Sequence, residues 1–141
     1  MSHRLSAQDV ADRRVTEEAL QRGILELASW LGWHAVHWRP LQNRRGRWQV
    51  PFEGSLGRGW PDLTLVQPVW RRLVFAEVKR QLGIVSPEQI RVLELLGELA
   101  GDEPAIGGPP LIAVAIWRPS DFRDPIEASE VYRVLSARPH A

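Results

Sequence analysis

Apolar residues recur at helical spacing in the first part of the chain. They lie three or four positions apart and comprise Leu20, Ile24, Leu27 and Leu31. This spacing predicts an amphipathic helix whose apolar stripe faces a core. Thr16 is the predicted N-cap and Gly32 the predicted end of the helix. Helical geometry places Glu17 on the core side of the first turn and Glu18 on the solvent side.

A second helix is predicted from a strong start signal. Ser86-Pro87-Glu88-Gln89 combines a serine N-cap, a proline at the first helical position and a glutamine three residues after the cap, as in a capping box. Apolar residues follow at helical spacing, namely Ile90, Leu93, Leu96 and Leu99. The helix is expected to end near Gly101.

The remaining apolar stretches are short and indicate strands. Residues 34–39 and 63–66 alternate, residues 72–79 form the next strand, and a short strand is predicted near residues 48–50. Residues 111–117 are apolar without interruption, which predicts a central strand covered on both faces. The order helix, strands, helix, strand predicts an α/β fold with a small mixed β-sheet flanked by helices.

The two middle strands are expected to form a hairpin around the turn at Gln67-Pro68. If Val66 lies opposite Leu73, the same register places Asp62 opposite Glu77. Their Cβ atoms would then be roughly 5 Å apart. Alternation of side chains also places Glu77 and Lys79 on one face of the sheet.

Composition makes Lys79 unusual. The chain has 18 basic residues, and all except Lys79 are arginine. A lysine ammonium is a compact charge with a readily shifted pKa, whereas arginine is a planar fork that stays charged. A position beside a metal-bound water or a phosphate oxygen favours the ammonium. Together with the acid two residues earlier, the site has the pattern Glu77-Val78-Lys79.

Bulk properties limit the possible classes. A length of 141 residues fits one domain, which we predict at residues 15–141. Residues 1–14 are predicted to be a polar N-terminal arm that is either loose or an extra helical turn. The chain has no cysteine, which excludes disulfides and thiolate metal sites. No apolar stretch approaches the roughly 18 residues of a membrane span, and the polar start is unlike a signal peptide. We therefore expect a cytoplasmic protein of a bacterium or of a phage in its bacterial host.

Arginines and tryptophans are interleaved between residues 38 and 60. The arginines are Arg39, Arg44, Arg45, Arg47 and Arg58, and the tryptophans are Trp38, Trp48 and Trp60. Net charge is only +1, so the clustering is more informative than the total. Such a segment is either a solvated loop or a contact surface for a nucleic-acid backbone. Arg80, which follows the Glu-x-Lys pattern, is added to the candidate DNA contacts.

Two carboxylates that face each other resist joint ionisation unless a cation lies between them. Mg²⁺ takes oxygen ligands and commonly one or two carboxylates together with substrate phosphate. Asp62, Glu77 and the backbone carbonyl of Val78 would supply three oxygens. Lys79 would then orient and acidify the attacking water, and the metal would stabilise charge on the phosphate. This pattern predicts phosphodiester hydrolysis, although an acid-x-Lys triplet alone is a weak signal and also fits a surface ion pair.

These motifs resemble a known family. Four pieces carry the resemblance in order: Thr16-Glu17-Glu18-Ala19-Leu20-Gln21, Gly59-Trp60-Pro61-Asp62-Leu63, Phe75-Ala76-Glu77-Val78-Lys79 and Ser86-Pro87-Glu88-Gln89. Pro61-Asp62 followed by Glu77-Val78-Lys79 is similar to the Pro-Asp…(Asp/Glu)-x-Lys nuclease superfamily. More closely, the chain resembles its VRR-NUC (virus-type replication-repair nuclease) family.

The resemblance implies a restriction-endonuclease-like core and a Mg²⁺- or Mn²⁺-dependent endonuclease. It implies Asp62 and Glu77 as metal ligands, Lys79 as the catalytic lysine, Glu17 as a helical acid near the metal and Gln89 as a further site residue. It also implies a homodimer that acts on branched DNA, including four-way (Holliday) junctions. Trp60 occupies a position that is often small or aliphatic in the family.

Alternatives remain open for two residues and for the function. Glu17 also fits simple helix capping, and the capping role of Gln89 competes with a role at the site for one side chain. A DNA-binding or assembly module without cleavage is one alternative function. A sequence-specific, restriction-like nuclease is another, although 141 residues leave little space for a separate base-reading element.

Overall fold

The computed structural model of the protein describes residues 4–38, 41–49, 54–101 and 109–139. Its helices are α1 (Ala7–Arg14), α2 (Glu17–Trp30), α3 (Pro87–Ala100) and α4 (Glu130–Ser136). Its strands are β1 (His34–His37), β2 (Leu41–Gln42), β3 (Trp48–Gln49), β4 (Leu63–Gln67), β5 (Arg72–Val78) and β6 (Ile112–Trp117). Among the described helices, none has the length and apolar character needed to cross a membrane.

The main sheet has four strands in the order β1-β4-β5-β6. Strands β1, β4 and β5 pair antiparallel, and β6 pairs parallel to β5. Strands β2 and β3 form a separate hairpin. The predicted α/β fold with a small mixed sheet and flanking helices is therefore confirmed.

Helices cover both faces of the main sheet. Helices α2 and α4 pack on the face that we call the α2 face, whose core includes Leu20, Ile24, Leu65, Val74, Val78, Val131 and Leu135. Helix α3 packs on the opposite face, the α3 face, where Val92 and Leu96 contact Phe75. Because side chains alternate along β5, its even-numbered residues lie on the α2 face and its odd-numbered residues on the α3 face. Glu77 therefore lies on the α3 face.

The predicted register of the central hairpin is confirmed. Val66 pairs with Leu73 and Leu63 with Ala76. One more step of the same register brings Asp62, which immediately precedes β4, opposite Glu77. Local sequence was sufficient here, because an apolar face on each strand and a short turn leave only one register that buries both faces.

The prediction for the last strand was only partly correct. Strand β6 contributes Ala113 and Ala115 to the core of the α2 face, and Ile112 and Val114 to that of the α3 face. It is therefore covered on both faces, which explains its unbroken apolar sequence. Its position is at the sheet edge and not in the centre. The hydrophobic pattern of a strand indicates whether its two faces are covered. It does not indicate whether another strand pairs with its outer edge.

The predicted caps of α2 and α3 are confirmed. The Thr16 side chain accepts a hydrogen bond from the Ala19 N–H at 3.1 Å, and Gly32 follows the helix with a positive φ of 80°. At α3, the Ser86 hydroxyl accepts from the Gln89 N–H at 3.2 Å, and the Gln89 side chain accepts from the Ser86 N–H at 2.9 Å. Both helices begin where the sequence places them.

The N-terminal arm is more ordered than a loose arm or one extra turn. Within residues 1–14, Ala7–Arg14 form α1, and Ser6 and Asp9 form a capping box at its start. Asp12 is buried and accepts two hydrogen bonds from the guanidinium of Arg123. The ion pair fixes α1 to the loop before α4.

Gly59 allows the turn before Asp62 to lie directly against α3. A Cβ at this position would lie 2.2 Å from the backbone carbonyl oxygen of Glu88 in the first turn of that helix. We expect Gly59→Ala to lower the free energy of unfolding by roughly 1–3 kcal/mol, because backbone would have to move. Urea unfolding measures this change.

A matched glycine provides the control. A Cβ at Gly97, within α3, would contact nothing within 4 Å. Gly97→Ala should therefore raise the free energy of unfolding by about 0.5–1 kcal/mol, since alanine loses less backbone entropy in a helix. A Gly59→Ala variant as stable as the wild type would show that the turn and α3 are not in contact.

Candidate metal and phosphodiester site

Asp62 is fixed against β5 by its side chain and its backbone. Its Oδ2 accepts a hydrogen bond from the Val78 N–H at 2.8 Å, and its backbone carbonyl accepts one from the Trp38 N–H at 3.0 Å. The carboxylate therefore lies beside the carboxyl end of β5. This is where the sequence-derived register places it.

Glu77 is a buried carboxyl group, only 1% exposed, on the α3 face. Its Oε1 accepts a hydrogen bond from Gln89 Nε2 at 2.8 Å and lies 3.5 Å from Lys79 Nζ. Its Oε2 is buried and accepts no hydrogen bond from any donor in the described part of the chain. A buried polar atom without a partner is costly and rare, so the environment of Oε2 is suited to a ligand.

Burial is the largest cause that raises the pKa of Glu77, from an ordinary 4.5 to about 8. The neighbouring Asp62 carboxylate raises it further, and the Lys79 ammonium opposes the shift. The upward shift of this pKa indicates that nearby protein groups do not fully stabilise the negative charge of ionised Glu77. One cation, Lys79, does not balance two adjacent carboxylates in a buried position.

Gln89 performs two roles at once, which corrects the expectation that they compete. Its Oε1 accepts from the Ser86 N–H and closes the capping box, while its Nε2 donates to Glu77. An amide has an acceptor end and a donor end, so one side chain satisfies both. The start of α3 is thereby connected to the carboxylate, and Gln89 is placed at the site.

The loop after Lys79 is held by Arg118. Its Nη1 donates to the carbonyl oxygens of Arg80 at 2.8 Å and Gly83 at 2.7 Å. Gln81 Nε2 also donates to the Ser120 hydroxyl at 3.1 Å. These bonds fix the backbone that leaves the site and leave the Arg80 side chain exposed.

The residues present fit a hard divalent cation. Asp62 and Glu77 offer carboxylate oxygens, and Glu77 Oε2 is a buried acceptor that no donor among the described residues uses. Mg²⁺ commonly takes one or two carboxylates and completes its octahedron with water and phosphate oxygens. Val78, the last residue of β5, directly follows Glu77 and places its carbonyl in the same stretch. Its carbonyl remains a candidate third oxygen.

Glu17 does not join this pair. In the described part of the chain, no group of three or more His, Cys, Asp or Glu side chains is arranged to hold a metal ion. Helix α2 packs on the α2 face through its buried residues Leu20 and Ile24, while Glu77 lies on the opposite face. Glu17 is half-buried and Glu18 exposed, as helical geometry predicts. Helical periodicity correctly predicted that Glu17 lies on the core side of α2. It did not predict which face of the sheet α2 covers.

The candidate DNA-contacting arginines occupy several places. Arg44, Arg45 and Arg47 are exposed in the β2–β3 hairpin, where Asn43 Oδ1 accepts from the Arg45 and Arg47 N–H groups. Arg58 is exposed in the turn that precedes Asp62. Arg39 lies outside the described residues.

Sequence reasoning missed Arg13. Helix α1 brings it to Arg80, and the two line a cavity of about 270 Å³ with Leu82 and Gly83 beside the site. The signal was present in Ser6-Ala7-Gln8-Asp9, a capping pattern that predicts a helix start in the arm. A helix there would have indicated that Arg13 belongs to the folded domain.

Fold and site together define a small α/β domain with a carboxylate pair, a lysine and an amide gathered at the end of a β-hairpin. No family model matches the chain, and no curated protein matches it. Among solved structures, the chain is similar to one described as "VRR_NUC domain", with 19% identity and a TM-score of 0.47. The alignment covers 86% of this chain and 97% of that one.

Proposed function

We propose that this chain is a divalent-metal-dependent endonuclease that hydrolyses phosphodiester bonds in branched DNA, including four-way junctions. The observation that carries the proposal is the buried Glu77 Oε2, which accepts no hydrogen bond from the described residues and lies beside Asp62, while Lys79 and Gln89 contact the other oxygen. A plain surface ion pair would leave no buried carboxylate oxygen open. The preference for branched DNA rests on the family resemblance.

Each residue of the site has a role that follows from its contacts. Asp62 and Glu77 would hold Mg²⁺ or Mn²⁺, which when bound supplies a Lewis acid and neutralises charge on the phosphate. Gln89 holds the Glu77 carboxylate in one orientation through its Nε2. Lys79 Nζ carries three N–H donors and can hold the attacking water or a phosphate oxygen while its charge stabilises the transition state.

A cleavage panel tests the proposal. Purified protein with Mg²⁺ is incubated with four-way junctions, flaps, single strands and linear duplex, beside a Lys79→Ala preparation. We expect cleavage of branched substrates that the variant lacks. Equal nicking by both proteins would identify the activity as contamination. Absence of cleavage together with Mg²⁺ binding that Asp62→Asn does not affect, measured by calorimetry, would favour a module without cleavage.

Arginines of the β2–β3 hairpin are proposed to contact phosphates. The Arg44→Ala, Arg47→Ala double variant should bind DNA more weakly across sequences. It should also reduce the slope of log affinity against log salt by about 1–2, since each lost phosphate contact lowers counterion release. Binding titrations at several salt concentrations measure the slope.

Arg133→Ala is the control for this experiment. Arg133 is exposed on α4, where it pairs with Glu130 at 2.5 Å, and α4 packs on the face opposite Glu77. Its replacement should leave the slope unchanged. A double variant with the wild-type slope would exclude the hairpin arginines from the DNA interface.

A homodimer is also proposed, because a four-way junction presents two symmetric strands and a two-fold dimer presents two sites. Light scattering coupled to size exclusion measures the mass. A monomer that resolves junctions with paired cuts would contradict this part alone.

A further inference from the structure

Two tryptophans form an apolar cavity next to the candidate site. Trp38 and Trp60 line it together with Val36 and Thr64, and its volume is about 350 Å³. We call these four residues the tryptophan cradle. Val36 is 46% exposed, so the cavity opens to solvent. No polar or catalytic role assigned above uses it.

Strand register places the cradle on the same face as the carboxylates. Val36 pairs with Thr64 across β1 and β4, and paired residues point to the same face. Thr64 follows Asp62 by two residues, a separation of roughly 7 Å along a strand, and also faces the same side. Trp38 is connected to Asp62 directly through its backbone N–H. The cradle therefore lies directly beside the carboxylates on the same face of the sheet.

The position of Trp60 is fixed before any ligand binds. Its ring packs edge-to-face on Phe75, with centroids 5.6 Å apart. Phe75 in turn belongs to the core beneath α3, with Val92 and Leu96. A rigid aromatic wall loses little conformational entropy when a flat ligand stacks on it.

We propose that the tryptophan cradle binds one unstacked nucleobase of the DNA strand held at Asp62 and Glu77. The inference rests on the proposed function and specifies how its substrate is held. The lining suits the π-face of a base and not a phosphate, because it offers no cationic side chain among the described residues. Arg58, two residues before Trp60, is exposed and available for the backbone of the same strand. Bases stack on aromatic side chains without regard to sequence, and unpaired bases are present at branch points.

The test compares a labelled single-stranded oligonucleotide with a matched strand in which all bases are replaced by abasic units. Affinities are measured by anisotropy in chelator, so no cleavage occurs. Wild type should prefer the base-containing strand. Trp38→Leu should reduce that preference about 5- to 100-fold, the range for loss of one stacked base. Trp38→Phe, which keeps an aromatic face, should retain most of it.

Two further variants isolate the cradle. Trp30→Leu removes an exposed tryptophan, 84% accessible, from the end of α2 and should leave the preference unchanged. Thr64→Phe fills the cavity from β4 and keeps both tryptophans, so it should reduce the preference as Trp38→Leu does. Thermal melting confirms that each variant is folded. If Thr64→Phe and Trp38→Leu both keep the wild-type preference, the cradle does not bind a base.

The two proposals can fail separately. Lys79-dependent cleavage together with an unchanged base preference in the cradle variants would overturn this inference alone. A reduced preference in those variants without any Lys79-dependent cleavage would overturn the proposed nuclease and leave the base site standing.

Discussion

Arginine at position 79 should lower the rate of DNA cleavage at least about 100-fold, within the range for a group that transfers or positions a proton. DNA affinity should change by less than about 3-fold. Lys79 is only 13% exposed, and its Nζ lies 3.5 Å from Glu77 Oε1. A guanidinium keeps the charge but is larger, planar and effectively never deprotonated, so it fits poorly where a compact donor approaches a water.

Single-turnover cleavage with Mg²⁺ and separate binding titrations distinguish the two effects of Lys79→Arg. Arg22→Lys is the control, because Arg22 is exposed on α2 and pairs with Glu18 at 3.6 Å. It should leave both cleavage and binding unchanged. If arginine at position 79 supports wild-type cleavage, the lone lysine is an accident of composition and has no special role.

Glu77→Gln should have opposite effects on activity and on stability. Cleavage should fall by at least about 1,000-fold, because the variant loses one of the two carboxylates proposed to hold the metal. In chelator at about pH 8, however, the variant should be more stable than the wild type by roughly 3 kcal/mol. Glutamine keeps the shape and the acceptor oxygen for Gln89 but carries no charge to bury.

The sign follows from the raised pKa of Glu77. The carboxyl ionises near 4.5 in the unfolded chain and near pH 8 in the folded one. Between these values the folded state holds the proton and the unfolded state does not. The free energy of unfolding of the metal-free protein therefore falls as pH rises through this window. The contribution of Glu77 to this free energy is most favourable below about pH 4.5.

Urea unfolding of the metal-free protein between about pH 5 and pH 8 measures the effect. Wild type should lose stability across the range, and Glu77→Gln should lose less. Mg²⁺ at about pH 8 should restore wild-type stability by binding the folded state, and should not affect the variant. Glu18→Gln, at an exposed position of α2, is the control. Identical pH dependence of wild type and Glu77→Gln would show that Glu77 is not a strained, buried acid.

Local sequence predicted much of the site. The hairpin register placed Asp62 opposite Glu77 because short-range alternation and a tight turn define which residues pair. The Ser86 cap placed Gln89 in the first turn of α3. Neither inference required knowledge of contacts between distant elements.

Other features depended on contacts far apart in sequence. One end of the Gln89 amide caps α3 while the other end donates to Glu77. This double role could be recognised only once the position of α3 relative to β5 was known. That α1 belongs to the domain required the pairing of Asp12 with Arg123, which are 111 residues apart. The assignment of Glu17 to the metal site stays a prediction, because helical periodicity does not specify which face of a sheet a helix covers.

The sequence by itself determined α2, α3, the strands of the main sheet, the hairpin register and the pairing of Asp62 with Glu77, because these depend on neighbours and on side-chain periodicity. Only the tertiary structure decided that β6 lies at the edge, that Glu77 Oε2 is buried and accepts no hydrogen bond from the described residues, and that the tryptophan cradle adjoins the carboxylates. Burial and desolvation arise from all the elements packed around a group. They raise the pKa of Glu77, a shift whose size no local pattern encodes.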